Sequence, residues 1–175
     1  IVFSLVSTVS SFYLFTLLVF KFRHRGGVSF ALLSFSLGVW QLGKFFRNVT
    51  LIPETPFSMD ISFWGHLSFI GATFIYASFF RFTVRISFRD RGLLKSLTYV
   101  AYATAVVFSF LEFKNLLTKG LKITNYGYFH IPNFNYIYYA ITYLFFMLLG
   151  IFILYSGLKK VIPQFNRQAK AIFYG

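Results

Sequence analysis

Five long apolar stretches, almost free of charge and separated by short basic loops, occupy nearly the whole chain: Ile1–Phe20, Val28–Phe46, Ile61–Phe80, Ser96–Leu111 and Tyr136–Leu158. A helix rises about 1.5 Å per residue, so about 20 apolar residues cross a hydrocarbon core about 30 Å thick. Four of the stretches reach that length as they stand. The one beginning at Ser96 reaches it with Leu93, Leu94 and the end residues Lys95 and Glu112 included, both charges being read as snorkelling to the interface. The fold class that follows is all-α, a polytopic transmembrane helix bundle in a single domain. Its five complete spans lie near 1–20, 28–46, 61–82, 93–113 and 136–158, and a sixth begins near 168.

The chain is 57% hydrophobic and only 12% charged, with a mean hydropathy of +0.67, which leaves too little polar surface to keep such a fold in water. A net charge of +13 raises the question of nucleic acid. Position answers it: the cations sit in the loops between spans and form no single face or arm, so no nucleic-acid partner is expected and the bilayer is the expected environment. With no cysteine, disulfides, thiolate metal sites and cysteine nucleophiles are excluded. Ile1–Phe20 is too long for a signal-peptide core and lacks a basic leader. The missing initiator Met and the apolar run Ala171–Gly175 predict a piece of a longer chain.

Short loops set orientation through their Lys and Arg. Lys21, Arg23 and Arg25 follow span 1. Arg81, Arg85, Arg89, Arg91 and Lys95 follow span 3, and Lys159, Lys160, Arg167 and Lys170 follow span 5. Those twelve alternate with five on the other side: Lys44, Arg47, Lys114, Lys119 and Lys122. The N-terminus is therefore expected outside a plasma membrane, with the odd-numbered loops cytoplasmic. Of the outer loops, Lys114–Asn135 is the longest, and its segment Leu121–Ile131 (LKITNYGYFHI) reads either as a short hairpin or as an aromatic interfacial belt.

Helices in lipid approach one another through small residues four apart. Such lines run through Ala101, Ala105 and Ser109 in span 4, Ser34 and Gly38 in span 2, Ser7 and Ser11 in span 1, and Thr73 and Ala77 in span 3. Chemistry within a membrane usually needs buried acids or histidines. The acids are four: Glu54, Asp60 and Asp90 in or beside loops, and Glu112 at the outer end of span 4. His66 alone among the histidines lies well within a span, while His24 and His130 fall in loops. There is no HExxH, phosphate-binding loop or GxSxG. No catalytic residue, metal ligand or cofactor is expected here.

The candidate ligand-binding residues are Trp40, Gln41 and Lys44 in span 2 with Trp64 and His66 in span 3, all at one level beneath the outer loops. Each can serve as an interfacial anchor. Together they can floor a small outward pocket roofed by Arg47–Asp60.

The motif LGVWQLGKFF (Leu37–Phe46), the helix FWGHLSFIGATFIYASFFRFTVRIS (Phe63–Ser87), the loop ending Gly127-Tyr128 before a Tyr-rich span, and Asn166-Arg167-Gln168-Ala169-Lys170 occur in that order. The series resembles the N-terminal seven-transmembrane sensor region of bacterial and archaeal histidine kinases, which also precedes PAS and diguanylate cyclase modules. The resemblance runs over most of the chain and rests on hydrophobic patterns. It implies a sensory input domain that answers an unknown small ligand or membrane cue. It also implies a cytoplasmic output module beyond a seventh span, with homodimerisation through that cytoplasmic part. A transporter fragment is the alternative. Against it, Pro53, Pro56, Pro132 and Pro163 all lie outside the spans, whereas transporters bind substrate at interrupted helices.

Overall fold

A computed structural model describes residues 2–21, 25–50, 61–87, 92–124 and 127–161. Five helices carry the apolar stretches: α1 (Val2–Lys21), α2 (Arg25–Val49), α3 (Ile61–Ile86), α4 (Gly92–Phe113) and α5 (Tyr136–Val161). All five contain windows long and apolar enough to cross a membrane. The expected start of a sixth span near 168 lies outside the described residues, as do the loop 51–60 and Arg89 to Arg91. Between α4 and α5 the chain forms an antiparallel hairpin, β1 (Thr118–Thr124) and β2 (Gly127–Pro132), so the hairpin reading of that loop holds.

One helix organises the rest. The membrane-crossing window of α3 is 61% buried by protein, against 6% for α1 and 22% for both α4 and α5. It packs against α2, α4 and α5, whereas α1 packs chiefly on α2. Helices in lipid gain little from hiding apolar surface, because lipid tails are equally apolar, so close approach and hydrogen bonds hold the bundle. At the α2–α3 crossing the approach is extreme. A Cβ on Gly71 would lie 2.7 Å from Trp40 Cα and 3.0 Å from the Ser36 carbonyl oxygen. One on Gly43 would lie 2.6 Å from the Ser68 backbone nitrogen. Only glycine allows these two backbones to touch.

The α3–α4 seam uses small residues and hydroxyls. Ala101 and Ala105 are wholly buried, and Ser109 beside them meets Thr73 at 2.9 Å. Tyr76 meets Thr104 at 3.0 Å, and Ser78 meets Tyr102 at 3.3 Å. Thr104 already donates to the Ala101 carbonyl, so the Tyr76 hydroxyl is the donor of its pair. The α3–α5 seam is aromatic, with Phe146 stacked on Tyr76 at 5.7 Å and edge-on to Phe80 at 5.2 Å. Toward the far end of this seam, the Ser87 hydroxyl donates to the Ile153 carbonyl at 3.3 Å. The outward faces are large and apolar, with Phe3, Leu148 and Phe152 well exposed, as lipid contact requires.

Ala105 fills a gap that a longer side chain would have to force open. Overpacking of this kind costs about 1–3 kcal/mol. Ala105→Leu is therefore expected to lower the detergent or thermal midpoint of unfolding, while Val106→Leu, one residue on and outward-facing, leaves it unchanged. Equal midpoints for the two variants would place Ala105 toward lipid.

Candidate functional site

The α4 helix ends on a Schellman motif that aims the residues around it. Asn115 takes a left-handed φ of 55°, Leu116 N–H donates to the Leu111 carbonyl at 2.9 Å, and Asn115 N–H donates to the Glu112 carbonyl at 2.8 Å. The reversed chain buries Leu117 and Thr118 completely or nearly so and starts β1 back across the bundle. Between Thr118 and Leu121 the strand carries a bulge at Gly120, whose φ of +132° suits glycine alone. The bulge shifts the register so that His130 on β2 stands opposite Leu121.

This turn brings together five polar side chains from five elements. The Glu112 carboxylate is fully buried, and its Oε1 accepts a 2.7 Å hydrogen bond from the Thr118 hydroxyl. The same oxygen lies 3.5 Å from His66 Nδ1 on α3 and 3.8 Å from His130 Nδ1 on β2. On the other side of the His130 ring, Nε2 lies 3.1 Å from Nη1 of the buried Arg47 on α2. A guanidinium can only donate, so Nε2 accepts and the ring proton sits on Nδ1, facing Glu112. The row Arg47, His130, Glu112, His66 thus alternates cation, neutral ring, acid and ring. Beside it lies a cavity of about 40 Å³, lined among others by Ser62, Gly65 and Asn115, large enough for one or a few waters. Glu112 Oε2 and His66 Nδ1 are buried with no hydrogen-bond partner.

A snorkelling Glu112 is the one expectation here that the structure overturns. The carboxylate turns inward because Thr118, His66 and His130 all lie on its bundle side, two of them brought there by the hairpin. Lys95, grouped with it in the sequence reading, is exposed as expected.

The five expected ligand residues are distributed over several settings. Lys44 Nζ sits 4.0 Å above the Trp40 ring, and the Trp40 carbonyl accepts from Ser68 at 3.2 Å. Gln41 is half-buried. Trp64 stacks on Phe46 at 4.2 Å, with its indole nitrogen buried and unbonded. His66 joins Glu112 and stacks on Phe113 at 5.5 Å. Trp40 lines a cavity between α2, α3 and α5, and His66 lines the small one by Glu112.

Arg47, Glu112 and His130 were legible as polar residues near one membrane level, but their convergence was not. An acid at the end of an apolar stretch was the available signal. Among the described residues no group of His, Asp and Glu has metal-holding geometry. Compared with family models, curated proteins and solved structures, the chain matches none.

Burial first, and then the charges of Arg47 and His66, push the His130 imidazole down from 6.5 to about 4. An undocked hairpin would free the ring to its ordinary value, so between those limits the undocked state binds more protons. Docking is then fully favourable above pH 6.5, weakens as pH falls through the window, and levels off below about 4. Amide exchange of β1 is expected to quicken from pH 6.5 to 4, after correction for intrinsic rates. His130→Gln, whose carbonyl can still accept from Arg47, is expected to show a shallower dependence. An identical pH profile in the variant would remove His130 from the linkage.

Proposed function

We propose that this chain is a membrane-embedded sensory input domain, passing an extracytoplasmic or membrane cue to a cytoplasmic output module such as a histidine kinase. One observation carries the reading. A buried ionisable cluster, costly to keep in a membrane without a use, joins α2, α3, α4 and the hairpin at one end of the bundle. From that end α3 runs through the whole bundle to Arg81 and Arg85 at the other. A change in charge or occupancy at His66 and Glu112 acts directly on the helix that touches three others. A cue works in such a device only through different affinities for two bundle arrangements.

The proposal includes orientation in a plasma membrane. The twelve-to-five distribution of Lys and Arg supports a hairpin outside and an Arg81–Arg85 end in the cytoplasm. Lys119 on the hairpin and Lys95 on α4 are both exposed, and serve as reporters. An impermeant maleimide on intact cells is expected to label Lys119→Cys, and Lys95→Cys only after permeabilisation. The opposite pattern reverses the topology and removes the extracytoplasmic cue.

Relay along α3 is tested separately, by spin labels at Ile86→Cys on α3 and Phe152→Cys on α5, both outward-facing. Glu112→Gln and His66→Gln are expected to shift the distance between them by on the order of 2 Å, as helix displacements in switching proteins do. An unchanged distribution in both variants would leave the cluster a purely structural joint.

A further inference from the structure

The cavity between α2, α3 and α5 differs in kind from the small pocket beside Glu112. Its volume is about 420 Å³, and its walls are Trp40 and Leu37 of α2, Ile75 of α3, and Tyr136, Tyr139 and Tyr143 of α5. A cavity of about 150 Å³ already holds a benzene ring, and small-molecule sites begin near 300 Å³. On its rim Leu144 is well exposed on the outward face of α5, so the cavity is reached from the lipid side.

Three observations give this space a chemical character. First, Tyr139 is more than nine-tenths buried, packed by Phe69 at 4.9 Å, Phe108 at 5.5 Å and Tyr136 at 5.3 Å. Its hydroxyl makes no hydrogen bond to any described residue, and neither do those of Tyr136 and Tyr143. Tyr76, by contrast, which packs against Tyr143, is satisfied by Thr104. The phenols of Tyr136, Tyr139 and Tyr143 line an open cavity without a partner among the described residues, and a phenol is a good donor to whatever occupies the space. Second, four of the nine lining residues are aromatic, and electron-rich rings favour contact with an electron-poor one. Third, the Trp40 ring that forms one wall carries the Lys44 ammonium 4.0 Å above it, a nearby cation that favours an occupant with electronegative oxygens.

We propose that this cavity binds a lipid-dissolved, electron-poor ring bearing carbonyl oxygens, of the benzoquinone class. The ring lies against Trp40 and the tyrosine faces, its carbonyls accept from the Tyr139 hydroxyl and its neighbours, and its tail leaves past Leu144 into lipid. An aliphatic chain alone satisfies the volume and leaves the donors unpaired. The binding stands whether or not the chain signals, and the test below reads binding only.

The chain has two tryptophans, so Trp64→Phe leaves Trp40 as a single fluorescent reporter at the site. The protein is reconstituted in nanodiscs and titrated with a decyl-substituted benzoquinone. Saturable quenching of Trp40 is expected, above the linear collisional background. Adding Tyr139→Phe is expected to weaken the apparent affinity about tenfold, the loss of one hydrogen bond. Adding Ala140→Phe instead, which fills the cavity from α5, is expected to abolish the saturable component. Dodecanol in excess is expected to leave the quinone curve unchanged. Linear quenching alone overturns the proposal, as does a saturable curve that both variants leave in place. Displacement by dodecanol overturns it in favour of a non-selective lipid-tail groove.

Discussion

Close approach of other backbones to α3 is the constraint on which the bundle depends. In lipid a helix already satisfies its own backbone hydrogen bonds, and its apolar side chains are as comfortable against acyl chains as against protein. What remains to favour one arrangement is contact too close for lipid to reproduce. Gly71 and Gly43 let α2 lie directly on α3, and Ala101 and Ala105 do the same for α4. The hydroxyl pairs Thr73–Ser109, Tyr76–Thr104 and Ser78–Tyr102 then fix the register along the α3–α4 seam. Larger side chains at the glycine positions would separate α2 from α3 and part Ser68 from the Trp40 carbonyl and Ser36 from Ser78.

The polar cluster follows from this geometry. With α2, α3 and α4 held at fixed depth, Arg47, His66 and Glu112 arrive at one level from three helices, and the Schellman turn after α4 brings Thr118 and the hairpin back over them. The hairpin then supplies His130 as the link between a buried guanidinium and a buried acid. Removing either end of that row would strand the other charge in a low-dielectric setting, which costs more than the pair contributes. The cluster therefore couples the hairpin to the helices, so a stimulus at the hairpin has a physical route to α3.

The tyrosine cavity and the ionisable cluster lie in the same half of the bundle but differ in access. The cluster is roofed by the hairpin and has room only for water, while the cavity opens between helices toward lipid. Phe69 touches both, with its ring 6.0 Å from His130 and 4.9 Å from Tyr139. It sits on α3, the helix that every proposed input must move.

The sequence by itself determined the five membrane-crossing helices among the described residues, to within about a turn at each end, because length and apolarity decide what can cross a bilayer whatever the neighbours are. It also marked the α3–α4 packing line, where Ala101, Ala105 and Ser109 meet α3 as their spacing predicts, but not Gly43 and Gly71, which carry the tighter approach of α2. It left the segment 121–131 open between hairpin and belt, because β-branched and aromatic residues serve both. Tertiary structure alone decided the direction of Glu112. From sequence, an acid at the end of a span snorkels, and only the position of His66, forty-six residues away on another helix, with Thr118 and His130 beside it, makes the inward rotamer favourable. The same holds for Tyr139. One tyrosine in a run of them has no visible role until Phe69 of α3 and Phe108 of α4 close around its ring and leave its hydroxyl without a partner among the described residues, since rotation about the helix axis is set by neighbours the local sequence does not contain.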